Sequence, residues 1–182
     1  MGGGTAETAA ARAALDEAVS QFETPLLRYV AQLLGPGNMH EAEDVVQEAF
    51  LRYYREVSGN GAAIRNASTW LFRVAHNLAM DALRREARQN NVGRPPSADV
   101  GRASSPTDAL DELMHRESCD KALAELHRLP EKQRTVLLLR VVHGMKLSEI
   151  SEVTGLTPGN AGYRISQGLQ ELARRLKEAG VI

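Results

Sequence analysis

The side chains best suited to chemistry cluster near the C-terminus. Thr157, Asn160, Tyr163, Arg164 and Gln167 follow one another at spacings that share one side of a helix. Asn and Gln can pair bidentately with adenine and Arg with guanine, so this row has the residue types that read base edges. The helix start itself, Thr157 followed by Pro158, adds backbone amides that can hold a phosphate. A second set is electrostatic. Residues 65–88 carry Arg65, Arg73, Arg84, Arg85 and Arg88 against Asp81 and Glu86, whereas residues 41–48 carry Glu41, Glu43, Asp44 and Glu48 with no Lys or Arg. One basic face and one acidic face can touch two different partners.

Other chemistries lack support. His115 and Cys119 stand four apart and could point at one metal, but two ligands do not close a structural zinc site. No Ser/His/Asp or Cys/His set has the spacing of a nucleophile with its base, and no Gly-rich phosphate loop follows a strand. Neither an enzyme nor a cofactor is expected. The 182 residues hold 22 Lys+Arg and 23 Asp+Glu, a net charge of −1, so the whole chain has no field that would draw it onto nucleic acid unaided. A single Cys excludes a disulfide framework and fits a reducing cytosol. No apolar run reaches the ~18 residues of a membrane span, and Met1-Gly2-Gly3-Gly4 opens no signal peptide. A soluble intracellular protein without membrane insertion is expected.

The elements that position these residues read as helices throughout. Residues 1–14 are Gly/Ala-rich and suggest a disordered tail. Val19, Phe22, Leu26, Leu27, Val30 and Leu33 then recur at helical spacing; Pro25 should kink or split that helix, and Gly35-Pro36-Gly37 ends it. Asn38 offers an N-cap for an amphipathic helix with Ala42, Val45, Val46, Ala49, Phe50, Tyr53 and Val57 on one stripe. Beyond a loop over 58–68, Asn66 or Ser68 caps a third helix, with Trp70, Leu71, Val74, Ala75, Leu78 and Leu83 inward. Trp70, Phe72 and Phe50 suit a core, and Tyr53, Tyr54 and Tyr163 are more open.

Residues 89–112 are polar and rich in Pro, Gly, Ser and Asn, the composition of a flexible linker. Periodicity resumes over 113–182. Leu113, Met114, Ala122, Leu123 and Leu126 lead to Pro130 at a helix start, then to Val136, Leu137, Leu139 and Val142, with Gly144 as a C-terminal cap. Leu147–Thr154, a turn containing Gly155, and a helix opening at Thr157-Pro158 have the spacing of a helix-turn-helix, closed by Ile150, Val153, Leu156, Ile165, Leu169 and Leu172. Gly159, Gly162 and Gly168 weaken the last helix. Either the bare backbone allows close approach to DNA or a partner, or packing rescues a weak helix. The expected fold is all-α: two small helical domains, 15–88 and 113–182, on a tether.

Three stretches carry a family resemblance. Glu41-Ala-Glu-Asp-Val-Val-Gln-Glu-Ala-Phe-Leu-Arg-Tyr-Tyr-Arg55 resembles the "AEDLVQETFLR" helix of bacterial extracytoplasmic-function (ECF, group 4) RNA polymerase sigma factors of the sigma-70 family. Thr69-Trp-Leu-Phe-Arg-Val-Ala-His-Asn-Leu-Ala-Met-Asp-Ala-Leu-Arg-Arg85 is similar to their "WLyrIArNlaiDylRR" helix. Leu129-Pro-Glu-Lys-Gln-Arg-Thr-Val-Leu-Leu-Leu-Arg140 with the helix-turn-helix matches their C-terminal domain. The resemblance implies that 15–88 is sigma region 2, docking on the β′ clamp of core RNA polymerase through Asp44, Gln47, Glu48, Phe50 and Leu51. It implies −10 DNA contacts by Arg73, Asn77, Asp81, Arg84 and Arg85, with Asn60, Arg65 and Asn66 around a flipped-out base. Residues 113–182 become region 4, seated on the β flap, with −35 contacts at Thr157, Asn160, Tyr163, Arg164, Gln167 and Arg174. Promoter DNA, core polymerase and an anti-sigma factor are the implied partners, and the bacterial nucleoid in the cytoplasm the implied location.

One departure stands out. The family's recognition helix usually reads "GTVKSRLHRARKKL"; here Gly159–Leu172 holds Arg164 as its one basic residue, with Gln167 where a second Arg is common. That points to an unusual promoter. Without the resemblance, a helix-turn-helix regulator that binds duplex DNA on its own remains the rival, with 15–88 as a dimerisation or sensing domain.

Overall fold

The structure, a computed structural model, describes residues 3–60, 64–90 and 119–181, all of whose regular elements are helices. Most of the expected linker therefore lies outside the described residues, as do His115, Leu113 and Met114. The described chain falls into two compact units. The first is built from α1 (Gly3–Leu34), α2 (Met39–Asn60) and α3 (Ala67–Asn90). The second comprises α4 (helical over 119–127), α5 (Glu131–Leu137), most of α6 (Leu147–Thr154) and α7 (Pro158–Glu178).

In the first unit, α1 packs against both α2 and α3. Two expectations fail here. The stretch 1–14, read as a tail, is helical from Gly3, and Ala11 and Ala18 are buried. Alanine is the strongest helix former, and a Gly/Ala composition also serves a helix with a close-packed face. Nor does Pro25 split the helix, which runs through it. An interior proline costs about 3 kcal/mol. The next turns bury Leu26, Tyr29, Val30 and Leu33 completely, each contributing about 1.5–3 kcal/mol, so packing outweighs the break. The helix ends as read: Gly35 takes φ 89°, a left-handed conformation that a side chain would oppose. Asn38 differs in detail. Its Nδ2 donates back to the Leu34 carbonyl at 3.1 Å, closing α1 rather than capping α2 with its side chain.

The stripe expected on α2 is buried from Ala42 through Tyr53, with Val57 half-buried. Tyr53, on this stripe yet with a phenol able to face solvent, is inside, edge-on to Trp70 with ring centroids 5.7 Å apart. On α3 the cap is Asn66, whose Oδ1 accepts from the Thr69 amide at 3.1 Å. The buried stripe is turned from the expected one. Thr69, Leu71, Phe72, Ala75, His76, Ala79, Met80 and Ala82 are buried, while Trp70, Val74, Leu78 and Leu83 are half-buried. The buried face includes a polar pair: Tyr29 Oη and His76 Nδ1 share a hydrogen bond of 2.9 Å, with the Tyr29 ring 5.3 Å from Phe72.

Burial, and secondarily the charge of Arg84, lowers the His76 pKa to about 4 and keeps the imidazole neutral. The unfolded state therefore binds the extra proton first. Stability from this site is complete above pH 6.5 and is lost as the pH falls towards 4, by about 3 kcal/mol in all. Denaturant titrations followed by the sole tryptophan, Trp70, are expected to show that loss, and His76→Gln to flatten it. A variant with the same pH dependence as the wild type would assign the acid sensitivity elsewhere.

In the second unit, Pro130 (φ −52°, ψ 136°) is the N-cap residue of α5 rather than part of its first turn. Thr135 through Leu139 are all buried. At Leu138–Val142 the helix widens into a π-helical turn, closed by His143 N–H to the Leu138 carbonyl at 3.1 Å. That turn carries Val142, expected inward, out to 42% exposure. The two helices and the turn form as read, while of the residues expected to close the joint only Ile150 and Val153 are buried. Gly155 makes the turn at φ 71°, and Thr157 Oγ1 accepts from the Asn160 amide at 3.3 Å with Pro158 at the first helical position.

Packing of α7 departs from the hydrophobic pattern. Leu169 is 45% exposed, and the close approach to α5 is made by Gly168, where an added Cβ would lie 2.9 Å from Leu137 Cδ1. Gly159 faces open space and Gly162 has only an ordinary contact, so the one glycine that packing requires serves the domain's own core. Gly168→Val should cost about 2 kcal/mol by overpacking. Gly159→Ala should gain up to about 1 kcal/mol of helix propensity. Equal melting temperatures for the two variants would contradict this packing.

Candidate partner and nucleic-acid interfaces

Three exposed helix faces collect the sequence-selected residues. On α2, Asp44, Gln47 and Leu51 stand three and four apart and are exposed, Leu51 by 50%. Glu48 borders them, half-buried, and accepts a 2.8 Å bond from Arg52 Nε, which lowers its pKa. Phe50 does not join this face. It is buried with Val46 and Tyr53, because its place in the helical repeat is on the core side.

On α3 the spacing 4, 4, 3 aligns Arg73, Asn77, Asp81 and Arg84 along one exposed row, with Arg85 beside it. Asp81 organises the row's end: its Oδ1 accepts from Arg84 Nη1 at 2.9 Å and its carbonyl from Arg85 Nε at 3.3 Å. Both bonds anchor cations of this row within the protein. Arg65 and Asn66 are exposed just before this helix, Asn66 at the cap itself. The Asn60 side chain and residues 61–63 lie outside the described residues.

On α7, Arg164 Nε donates to Asn160 Oδ1 at 3.1 Å, and Tyr163 is 65% exposed. Asn160, Tyr163, Arg164 and Gln167 line one wall of an open cleft of about 380 Å³. The other wall is Pro130–Gln133 at the start of α5. Helical spacing marks only the α7 wall. The proline marked where α5 begins, but nothing local showed that its first turn faces a helix some 30 residues away. Thr157 is committed to capping.

Arg174 is not at the cleft. Its guanidinium bonds Glu171 at 2.7 and 3.0 Å and also Glu178. Hydrogen bonds from Arg174, then Arg175, hold Glu171 at about 2. Arg174 and Arg175 in the lower part of α7 therefore pair within the protein, Arg175 also reaching Glu125 of α4 at 3.9 Å. Among the described residues no cluster of His, Cys, Asp and Glu could hold a metal, and no helix is long and apolar enough to cross a membrane.

Comparison with known proteins matches both units in order: Sigma-70 region 2 over residues 18–89, and Sigma-70 region 4 over residues 119–172. The ECF RNA polymerase sigma factor SigW of Bacillus subtilis is 31% identical over 151 residues, 78% of this chain and 79% of its own. The ECF sigma factor SigL of Mycobacterium tuberculosis is 31% identical over 183 residues, covering 99% and 96%. In fold, the chain resembles the sigma factor RpoE of Bartonella quintana, solved with its anti-sigma factor NepR (TM-score 0.70, 18% identity, 89% and 96% covered). CnrH, solved with the cytosolic domain of CnrY, is a second likeness in fold (TM-score 0.64, 21% identity, 96% and 95% covered). These relatives favour the sigma reading over a regulator that works without polymerase. The chain belongs to the ECF RNA polymerase sigma factors of the sigma-70 family, which are transcription initiation factors and not known enzymes.

Proposed function

We propose that the chain is a group 4 sigma factor acting at the nucleoid, in which region 2 spans 15–88, a linker 89–112 and region 4 113–182. Asp44, Gln47, Glu48 and Leu51 on α2 dock region 2 on the β′ clamp, and Phe50 shapes that helix from within. The row Arg73, Asn77, Arg84 and Arg85 on α3, oriented in part by Asp81, follows the −10 strand. Asn60, Arg65 and Asn66 flank a flipped-out base. Region 4 sits on the β flap and meets the −35 element with Asn160, Tyr163, Arg164 and Gln167, on a helix started by Thr157. Arg174 shapes the end of α7 through its ion pairs. An anti-sigma factor, as in the RpoE complex, holds the protein inactive.

The observation that carries this reading is the exposed row on α3. A melted strand needs cations along its phosphates and polar or aromatic groups for its splayed bases, and Arg73, Asn77, Arg84 and Arg85 project from one helix whose opposite side is core. A net charge of −1 gives the whole chain no field that would hold it on DNA unaided. Polymerase supplies the second contact at high effective concentration. Run-off transcription tests the proposal: purified core enzyme with this protein should initiate at a promoter that core alone ignores. No initiation at any selected promoter, with the protein folded, would refute it.

A further inference from the structure

Two cations from different helices share the cleft of the second unit. Lys132 comes from the first turn of α5 and Arg164 from α7, and both line the same open space of about 380 Å³. Glu131 is the one carboxylate there, so the lining sums to a charge of +1. Apart from Pro130, the neutral groups, Tyr163 and Gln167 among them, carry hydroxyl or amide donors. Such a lining favours an anion small enough to be reached from both helices.

The state of Arg164 narrows the choice. Tyr163 and Gln167 are exposed, whereas Arg164 is half-buried against the cleft wall. Its Nε is tied to Asn160 Oδ1, which anchors the guanidinium and leaves its terminal nitrogens uncommitted among the described residues. The same bond occupies the oxygen that Asn160 would need for bidentate pairing with adenine. We infer that this cleft seats one backbone phosphate of the promoter duplex between Lys132 and Arg164, with Asn160 as the residue that positions Arg164. Base reading then falls to Gln167 and Tyr163. Because the sequence signal on α7 was one of base-reading types, the phosphate role belongs to the α5–α7 pair and not to the recognition helix alone. The inference rests on region 4 reading the −35 element.

Holoenzyme binding to a selected promoter, measured with every single −35 base-pair substitution and over a range of salt, tests it. Lys132→Ala and Arg164→Ala should each weaken binding about tenfold on all −35 sequences alike. Each should lower the salt slope by about 1. Arg164→Lys should recover part of the loss, and Glu131→Gln should tighten binding. Asn160→Ala should weaken binding in the wild type but add nothing to Arg164→Ala. Thermal melts of each variant separate contact loss from unfolding. A loss with Arg164→Ala confined to one base pair, or Lys132→Ala binding as tightly as wild type, would overturn the assignment. The two possible failures are distinct. A wild type indifferent to every −35 base defeats the underlying reading of α7. A wild type that discriminates while Lys132→Ala binds normally defeats the cleft alone.

Discussion

Replacing Asp44 and Glu48 together by Lys is expected to abolish co-purification with core polymerase while helical content and melting temperature stay near wild type. Both side chains are at least partly exposed, and among the described contacts the pair loses only the Glu48–Arg52 bridge. An exposed pair of that kind is worth about 0–1 kcal/mol. At the interface the change is far larger. Two reversals swing the face by four charges, and like charges set against each other there cost several kcal/mol, enough for a thousandfold loss at ~4 kcal/mol. Leu51→Ala gives an independent arm. It removes an exposed apolar anchor without changing charge, so the fold should be untouched and binding weaker. A doubly reversed protein that still associates with core would show that α2 is not the docking helix.

The second large effect is on promoter opening. Arg73→Glu with Arg84→Glu should leave core binding intact and reduce open-complex formation at least about 100-fold, from two charged contacts at roughly 1.5–3 kcal/mol each. Both residues are exposed and 11 positions apart, three helical turns on one side of α3. Within the protein the exposed Arg84–Asp81 pair is disturbed, and the Arg84 charge that adds to the lowering of the His76 pKa is reversed. Permanganate reactivity of unpaired thymines reads opening directly. Normal opening would remove α3 from the −10 contact.

Much of this was legible in the residues. The α2 stripe from Ala42 to Tyr53 and the Thr157 cap with Pro158 are local signals, set within a few residues, and they fold as read. What was not legible depends on distant neighbours. Pro25 argues for a break, and only the partners of Leu26, Tyr29 and Leu33 override it. His76 looks like one more polar residue of α3 until Tyr29, 47 positions earlier, is brought to 2.9 Å. Gly168 reads as a weakness in a helix, yet Leu137 requires it. The exposed rows on α3 and α7 could be picked by spacing, whereas the Lys132 wall of the cleft could not, since its relation to Arg164 exists only after α5 and α7 have packed. Phe50 is buried as its place on the α2 stripe implies, although the family motif also assigns it to the docking helix.

The central claim is that this chain recognises a promoter only in the grip of polymerase. Equilibrium binding of one labelled promoter by the chain alone and by the chain with core, at the same salt, is the direct measurement. Sequence-specific binding should appear with core, at concentrations where the isolated chain leaves the duplex unbound. Equally tight and specific binding by the chain alone would contradict the account.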